Sequence, residues 1–282
     1  MSKVGVNPNR QLRVDAYKPI VASVITHLPD LTSDYHKTRF DVVRCSLETM
    51  RRNTGVDCEI MVWDNGSCDK LKDWLINEYK PDRLILSNNV GKAQARTSCF
   101  RMFPYETIIA TADDDIFYYP NWLKEQIVLL KHYPNVGCVS GWPVRTQFRF
   151  NNKSTVAWGK RYAEVFEYGR FISEQEDRDF CTSIGRTYKF QVMTTQHDYD
   201  LRLKYKGVWA YATGHHCQMI GFAGTLGPLM FYSAEAMMTE RVLENIIDDA
   251  GLLRLTTVNR NTRHIGNILD KELEVLWLNS NT

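Results

Sequence analysis

The chain has 282 residues, 44% of them hydrophobic and 24% charged, with a formal net charge of +2, a balance that excludes a disordered chain and a strongly basic nucleic-acid binder and suits one large α/β domain or a core domain with an extension. Seven cysteines, at 45, 58, 68, 99, 138, 181 and 217, form no CxxC pair and no zinc-type spacing, so they read as reduced thiols. Met1 to Arg10 are polar and lack the apolar stretch of a signal peptide, and no run approaches the roughly 20 apolar residues of a membrane span, which predicts a cytoplasmic protein with no integral membrane segment.

Ile20 to Thr26 is an apolar, β-branched run that predicts a strand, and Val42, Val43, Ser46, Leu47 and Met50 repeat at helical spacing after a polar loop. Glu59 to Trp63 predicts a second strand ending in the turn Asp64-Asn65-Gly66-Ser67, followed by a helix through Leu71, Trp74, Leu75 and Tyr79 that stops before Pro81. Arg83 to Leu86 is a third strand. Asn88-Asn89-Val90-Gly91 then turns into a helix from about Lys92 to Met102, and Thr107 to Ala112 is a fourth strand leading into Asp113-Asp114-Asp115. A helix over Asn121 to His132 and a strand over Val136 to Ser140 complete this half.

The alternation predicts an α/β fold with a mainly parallel sheet flanked by helices. Such sheets bind ligands outside the carboxyl ends of their strands, where the three polar motifs fall. From 141 the pattern loosens: residues 142 to 211 mix aromatic and basic side chains without a clear period and read as an extension that shapes an acceptor site. The division expected is a half that carries the three motifs, 1–140, and a half that carries the extension, 141–282.

Carboxylates at a strand end suit Mn²⁺ or Mg²⁺, which take oxygen ligands and share their shell with substrate phosphates. Asp113 and Asp115 point to one side if the strand continues, and Asp114 faces away unless the chain turns. The glycine after Val90 permits a tight turn into a helix whose free N–H groups suit phosphate, and Arg96, about one turn inside, is placed to reach it. Asp64 is placed to accept hydrogen bonds from a ribose or base.

The ordered set Asp64-Asn65-Gly66-Ser67, Asn89-x-Gly91-Lys92-Ala93-x-Ala95-Arg96, Ala112-Asp113-Asp114-Asp115-Ile116 and Pro120-x-Trp122-Leu123 resembles the GT-A glycosyltransferases of family 2 over roughly residues 20 to 140. The resemblance implies a nucleotide-sugar (UDP- or GDP-hexose) donor, bound with Asp64 on the nucleoside, Asn89, Gly91, Arg96, Asp113 and Asp114 around the donor, and a DXD-type metal site of Asp115 with Asp113.

It also implies a later acidic pair as catalytic base and a histidine that completes the metal site. One candidate set is Gly227 to Phe231, Ala234-Glu235-Ala236-Met237, Asp248-Asp249 and His264-Ile265-Gly266-Asn267; the other is His197-Asp198-Tyr199-Asp200-Leu201-Arg202, Gly207 and His215-His216. The first keeps the family's order and is preferred, with Asp249 or Asp248 as base in an inverting reaction and His264 as metal ligand. The acceptor expected is a glycan, a lipid-linked glycan or a modified nucleic acid. The alternatives are a nucleotidyltransferase, although His27-Leu28-Pro29-Asp30 is not the glycine-rich basic loop of that class, and a non-catalytic nucleotide-sugar-binding protein.

Overall fold

The structure, a computed structural model, describes residues 19–230 and 239–279. Met1 to Arg10, Phe231 and Ala234 to Met237, named above, lie outside the described residues.

The first half follows the predicted order: β1 (Ile20–Thr26), α1 (Arg39–Arg52), β2 (Glu59–Asn65), α2 (Asp69–Trp74), β3 (Arg83–Ser87), α3 (Lys92–Arg101), β4 (Ile108–Ala112), β5 (Ile116–Tyr118), α4 (Trp122–His132) and β6 (Val136–Ser140). α2 runs on as a π-turn over Leu75–Tyr79 and closes at Lys80, whose φ of 48° ends the helix just before Pro81. The short strand β5 was not expected.

The second half adds α5 (Lys153–Tyr162), β7 (Val165–Gly169), α6 (Glu174–Ser183), α7 (Tyr188–Thr195), β8 (Asp200–Tyr205), β9 (Val208–Tyr211), β10 (Gln218–Phe222), α8 (Ala223–Leu229), α9 (Thr239–Asp249), β11 (Leu253–Thr256), β12 (Thr262–His264) and α10 (Lys271–Asn279). Both halves build one ten-stranded sheet in the order β3-β2-β1-β4-β10-β6-β11-β9-β8-β7. β1 to β4 are mutually parallel and β11 is parallel to β6; β10 runs antiparallel to both β4 and β6, so β6 and β11 point the same way as β1 to β4. The carboxyl ends of these strands therefore share one edge.

The continuous apolar runs of the central strands have a direct cause, because both faces of the sheet are covered. Ala22, Val24, Ile60, Val62, Ile108 and Ala110 face the core shared with α1, while Val21, Met61 and Ile109 face the core shared with α3. Burying each valine, isoleucine or methionine among them is worth about 1.5–3 kcal/mol.

The aromatic and basic stretch forms the antiparallel edge β9-β8-β7 with α5 to α7 around it. Its period is two: Leu201 and Leu203 are buried, whereas Arg202 lies over the Phe171 and Trp209 rings at 3.8 and 4.7 Å. Large side chains on the outer face mask that alternation in the sequence. Among the described residues no helix is long and apolar enough to cross a membrane.

Candidate active site at the carboxyl edge of the sheet

Two turns meet at the ends of β2 and β3. Asp64 is fully buried, and its Oδ1 accepts from the N–H groups of Gly66 at 3.2 Å and Ser67 at 3.0 Å while Oδ2 faces Thr26 Oγ1 at 3.4 Å. Asp64 thus shapes its own turn. Asn65 ties that turn to the next one, accepting from Val90 N at 2.8 Å and donating to Asn89 Oδ1 at 3.0 Å; Asn89 Oδ1 also accepts from Gly91 N at 3.0 Å, just ahead of α3. Gly66 has a φ of +85°, and a Cβ there would stand 2.8 Å from Asn89 N, so the close approach of the two turns requires glycine.

The acidic run does not continue the strand. β4 ends at Ala112 and the chain turns through Asp114 and Asp115, so the alternation of a strand does not extend through the three aspartates. Asp113 Oδ1 receives Lys92 and Arg96, each at 2.8 Å. Arg96 is buried in that pairing and is not directed at open space. Arg39, at the start of α1, bridges the other two: it ion-pairs with Asp114, donates to Asp115 Oδ2 at 2.9 Å, and reaches Asn267 Oδ1 at 3.2 Å. His27 N donates to Asp114 Oδ2 at 3.1 Å. Arg39 thus joins Asp114 to Asp115, while Lys92 and Arg96 hold Asp113.

β12 pairs with β5 so that His264 stands opposite Ile116, next to Asp115. His264 Nε2 lies 3.5 Å from Asp115 Oδ2, and Nδ1 lies 2.9 Å from Ser183 Oγ. Ser183 gives its single hydroxyl proton to Phe180 O at 2.8 Å, so it accepts from Nδ1–H, and Nε2 faces the carboxylate, offering a proton in the charged ring and a lone pair in the neutral one. Asp115 Oδ1 is buried with no hydrogen-bond partner among the described residues. The neutral form of His264, beside a carboxylate oxygen with no partner, is a donor set that fits a divalent cation; its nitrogen ligand suits Mn²⁺ better than Mg²⁺. Burial works to raise the Asp115 carboxyl, but a protonated His264 and the Arg39 guanidinium outweigh it and hold the group below its ordinary value.

Asp115 and His264 open on a cavity of about 650 Å³ that Tyr35, Ser183, Ile184 and Gly266 also line. That volume lies within the usual range for a small-molecule site. Gly266 has a φ of +77°, and a Cβ there would stand 2.1 Å from Ser183 O, so only glycine lets the end of α6 close over the cavity.

Asp248 and Asp249 are not brought to this cluster. α9 packs against β11 and ends just before Leu253, whose N–H bonds Asn135 O at the amino end of β6, so its last residues sit at the far edge of the sheet. Asp248 is buried there and caps α5, accepting from Lys153 N at 3.1 Å and Ser154 N at 2.8 Å; Asp249 is exposed. The rival carboxylates are also engaged, Asp198 with Arg149 at 2.6 Å and Asp200 with Arg145 at 2.9 Å. His215, His216 and Cys217 stand at the start of β10, where Cys217 O accepts from Asp113 N at 2.8 Å and His216 Nδ1 lies 2.9 Å from Glu244.

Sequence reasoning missed Arg39, Ser183 and the role of Lys92. A signal existed for Arg39, since an arginine opening a helix opposes the helix dipole and so points to an acidic partner elsewhere. None existed for Ser183.

A family model described as Glycosyl transferase family 2 matches residues 36–195, more than half of the chain. No curated protein matches it. Among solved structures the chain is similar to the mannosyltransferase PcManGT from Pyrobaculum calidifontis in complex with GDP-Man and Mn²⁺, at 14% identity over 86% of this chain and 55% of that one, with a TM-score of 0.48. It is similar to GalNAc-T7 with UDP, GalNAc and Mn²⁺ at 11% identity over 88% and 44% of the two chains, TM-score 0.45. A third likeness is to S. aureus TarS 1-349, at 10% identity over 92% and 63%, TM-score 0.48. The chain thus spans about half the length of the structures it resembles.

Proposed function

Because the chain belongs to glycosyl transferase family 2, we propose that it moves a hexose from a nucleotide-sugar donor to an acceptor hydroxyl, with inversion and with a divalent cation held by Asp115 and His264. The observation that carries this reading is the Asp115 Oδ1 without a partner among the described residues beside the His264 ring, at the mouth of a nucleotide-sized cavity. When bound, the cation supplies charge that stabilises the departing diphosphate. Arg39 orients the two carboxylates, and Lys92 and Arg96 keep positive charge at the amino end of α3. The linked turns around Asn65 and Asn89 form the nucleoside side, with their shape kept by Asp64. The seven cysteines, none in a disulfide, suit a reducing compartment, in keeping with a cytoplasmic enzyme.

The test is thermal unfolding of the full chain with UDP-, GDP- and dTDP-sugars, with and without Mn²⁺. One donor is expected to raise the melting temperature, and more so with Mn²⁺, because a ligand that binds only the folded state stabilises it. No shift with any nucleotide sugar would remove the reading.

An inverting transfer needs a carboxylate to take the acceptor proton at the ligand edge. Asp248 caps α5 at the far edge, so Asp248→Ala is expected to cost about 0.5–2 kcal/mol in chemical denaturation through the lost cap while turnover stays at the wild-type level. A loss of turnover in that variant with its stability intact would make Asp248 the base.

A further inference from the structure

A second cavity, of about 250 Å³, lies across the α6–α7 connection from the first and is lined by Arg149, Phe150, Arg186, Phe190, Arg241 and Glu244. Ser183, Ile184 and Gly185 face the donor cavity, whereas Arg186 faces this one, so a single stretch of chain forms the wall between them. Glu244 also ties it to the ligand edge through His216.

The charges around this cavity do not cancel. The Glu244 carboxylate is occupied by His216 at 2.9 Å, Arg254 at 3.3 Å and Asn151 at 3.4 Å, and these partners hold it ionised below its ordinary value although burial opposes them. Arg149 pairs with Asp198. Arg186 bonds the neutral Gln191 Oε1 at 3.3 Å and lies over the Phe190 ring at 5.4 Å; Arg241 lies over Phe150 at 5.5 Å. Among the described residues neither Arg186 nor Arg241 has a carboxylate within ion-pair distance, and both remain open to the cavity. Guanidinium forks match the oxygens of a phosphate, and two of them converging exceed what one carboxylate would neutralise.

From this geometry we infer that the second cavity is an acceptor subsite that binds a phosphate group carried by the acceptor, held by Arg186 and Arg241 with Arg149 at its side. The inference rests on the transferase reading only for the word acceptor; the anion site itself stands on its own charges. Phosphate there would anchor the acceptor across the wall from the donor.

The experiment is calorimetric titration of the full chain with inorganic phosphate and with glycerol 3-phosphate, in the wild type, in the double variant Arg186→Gln/Arg241→Gln and in His264→Ala. The double variant is expected to bind both anions about 10- to 100-fold more weakly, from the loss of charge-assisted hydrogen bonds. His264→Ala should bind both as the wild type does while losing its Mn²⁺-dependent response to nucleotide sugars. Glycerol 3-phosphate should bind at least as tightly as inorganic phosphate. Equal binding by the double variant, no binding by the wild type, loss of phosphate binding in His264→Ala, or exclusion of the ester would each overturn the proposal. A wild type that binds phosphate through these arginines yet ignores every nucleotide sugar would instead overturn the donor reading.

Discussion

Asp115→Asn is expected to lower release of nucleoside diphosphate from the donor by about 100- to 1,000-fold, the usual cost of removing one group that stabilises charge developing on a leaving atom. The substitution keeps the side chain's shape and removes its charge. Arg39 still has Asp114, so the turn survives, but the cavity loses the carboxylate whose Oδ1 is the unpartnered oxygen of the site. The response of the melting temperature to Mn²⁺ should vanish with the activity, while circular dichroism stays that of the wild type. If Asp115→Asn kept wild-type turnover and its Mn²⁺ response, the cation would have to be held elsewhere and the proposed site would be wrong.

Arg39→Gln should produce the largest loss of stability of any single change at this edge, about 3–5 kcal/mol, because it leaves two buried carboxylates without their shared cation. Their side chains are 9% and 13% exposed, so water cannot replace the guanidinium. The penalty should depend on pH in a stated direction. Burial pushes the Asp114 carboxyl up, against the pull of Arg39. A carboxyl raised in the folded state binds its proton more tightly there than in the unfolded chain, so its contribution is present at low pH and is lost as the pH rises through the raised value. Without Arg39 it rises further. Denaturation midpoints of Arg39→Gln and wild type should therefore lie closest near about pH 4 and diverge toward about pH 8. Added Mn²⁺ should recover more stability in the variant than in the wild type, since a cation bound to the folded state then replaces the missing charge. A gap between the two proteins that narrows with rising pH would contradict this account of the cluster.

The amino-acid sequence alone determined the central layer of this protein: strands at β1, β2, β4 and β6, the helices between them, and the polar turns at their ends. Those features are local, because a run such as Ile20–Thr26 buried on both faces and a turn such as Asp64-Asn65-Gly66-Ser67 carry their own hydrophobic period and turn chemistry. Only the tertiary structure decided which charges meet. Arg39 and Asp114 are 75 residues apart in sequence, and the strand β12 that brings His264 to Asp115 pairs with a three-residue strand too short to show a period. The same distance law moved Asp248 to the far edge, since a helix packed antiparallel to the strands carries its two ends to opposite sides of the sheet. Electrostatic partners and cavity walls are set by how elements pack, and no local pattern encodes them.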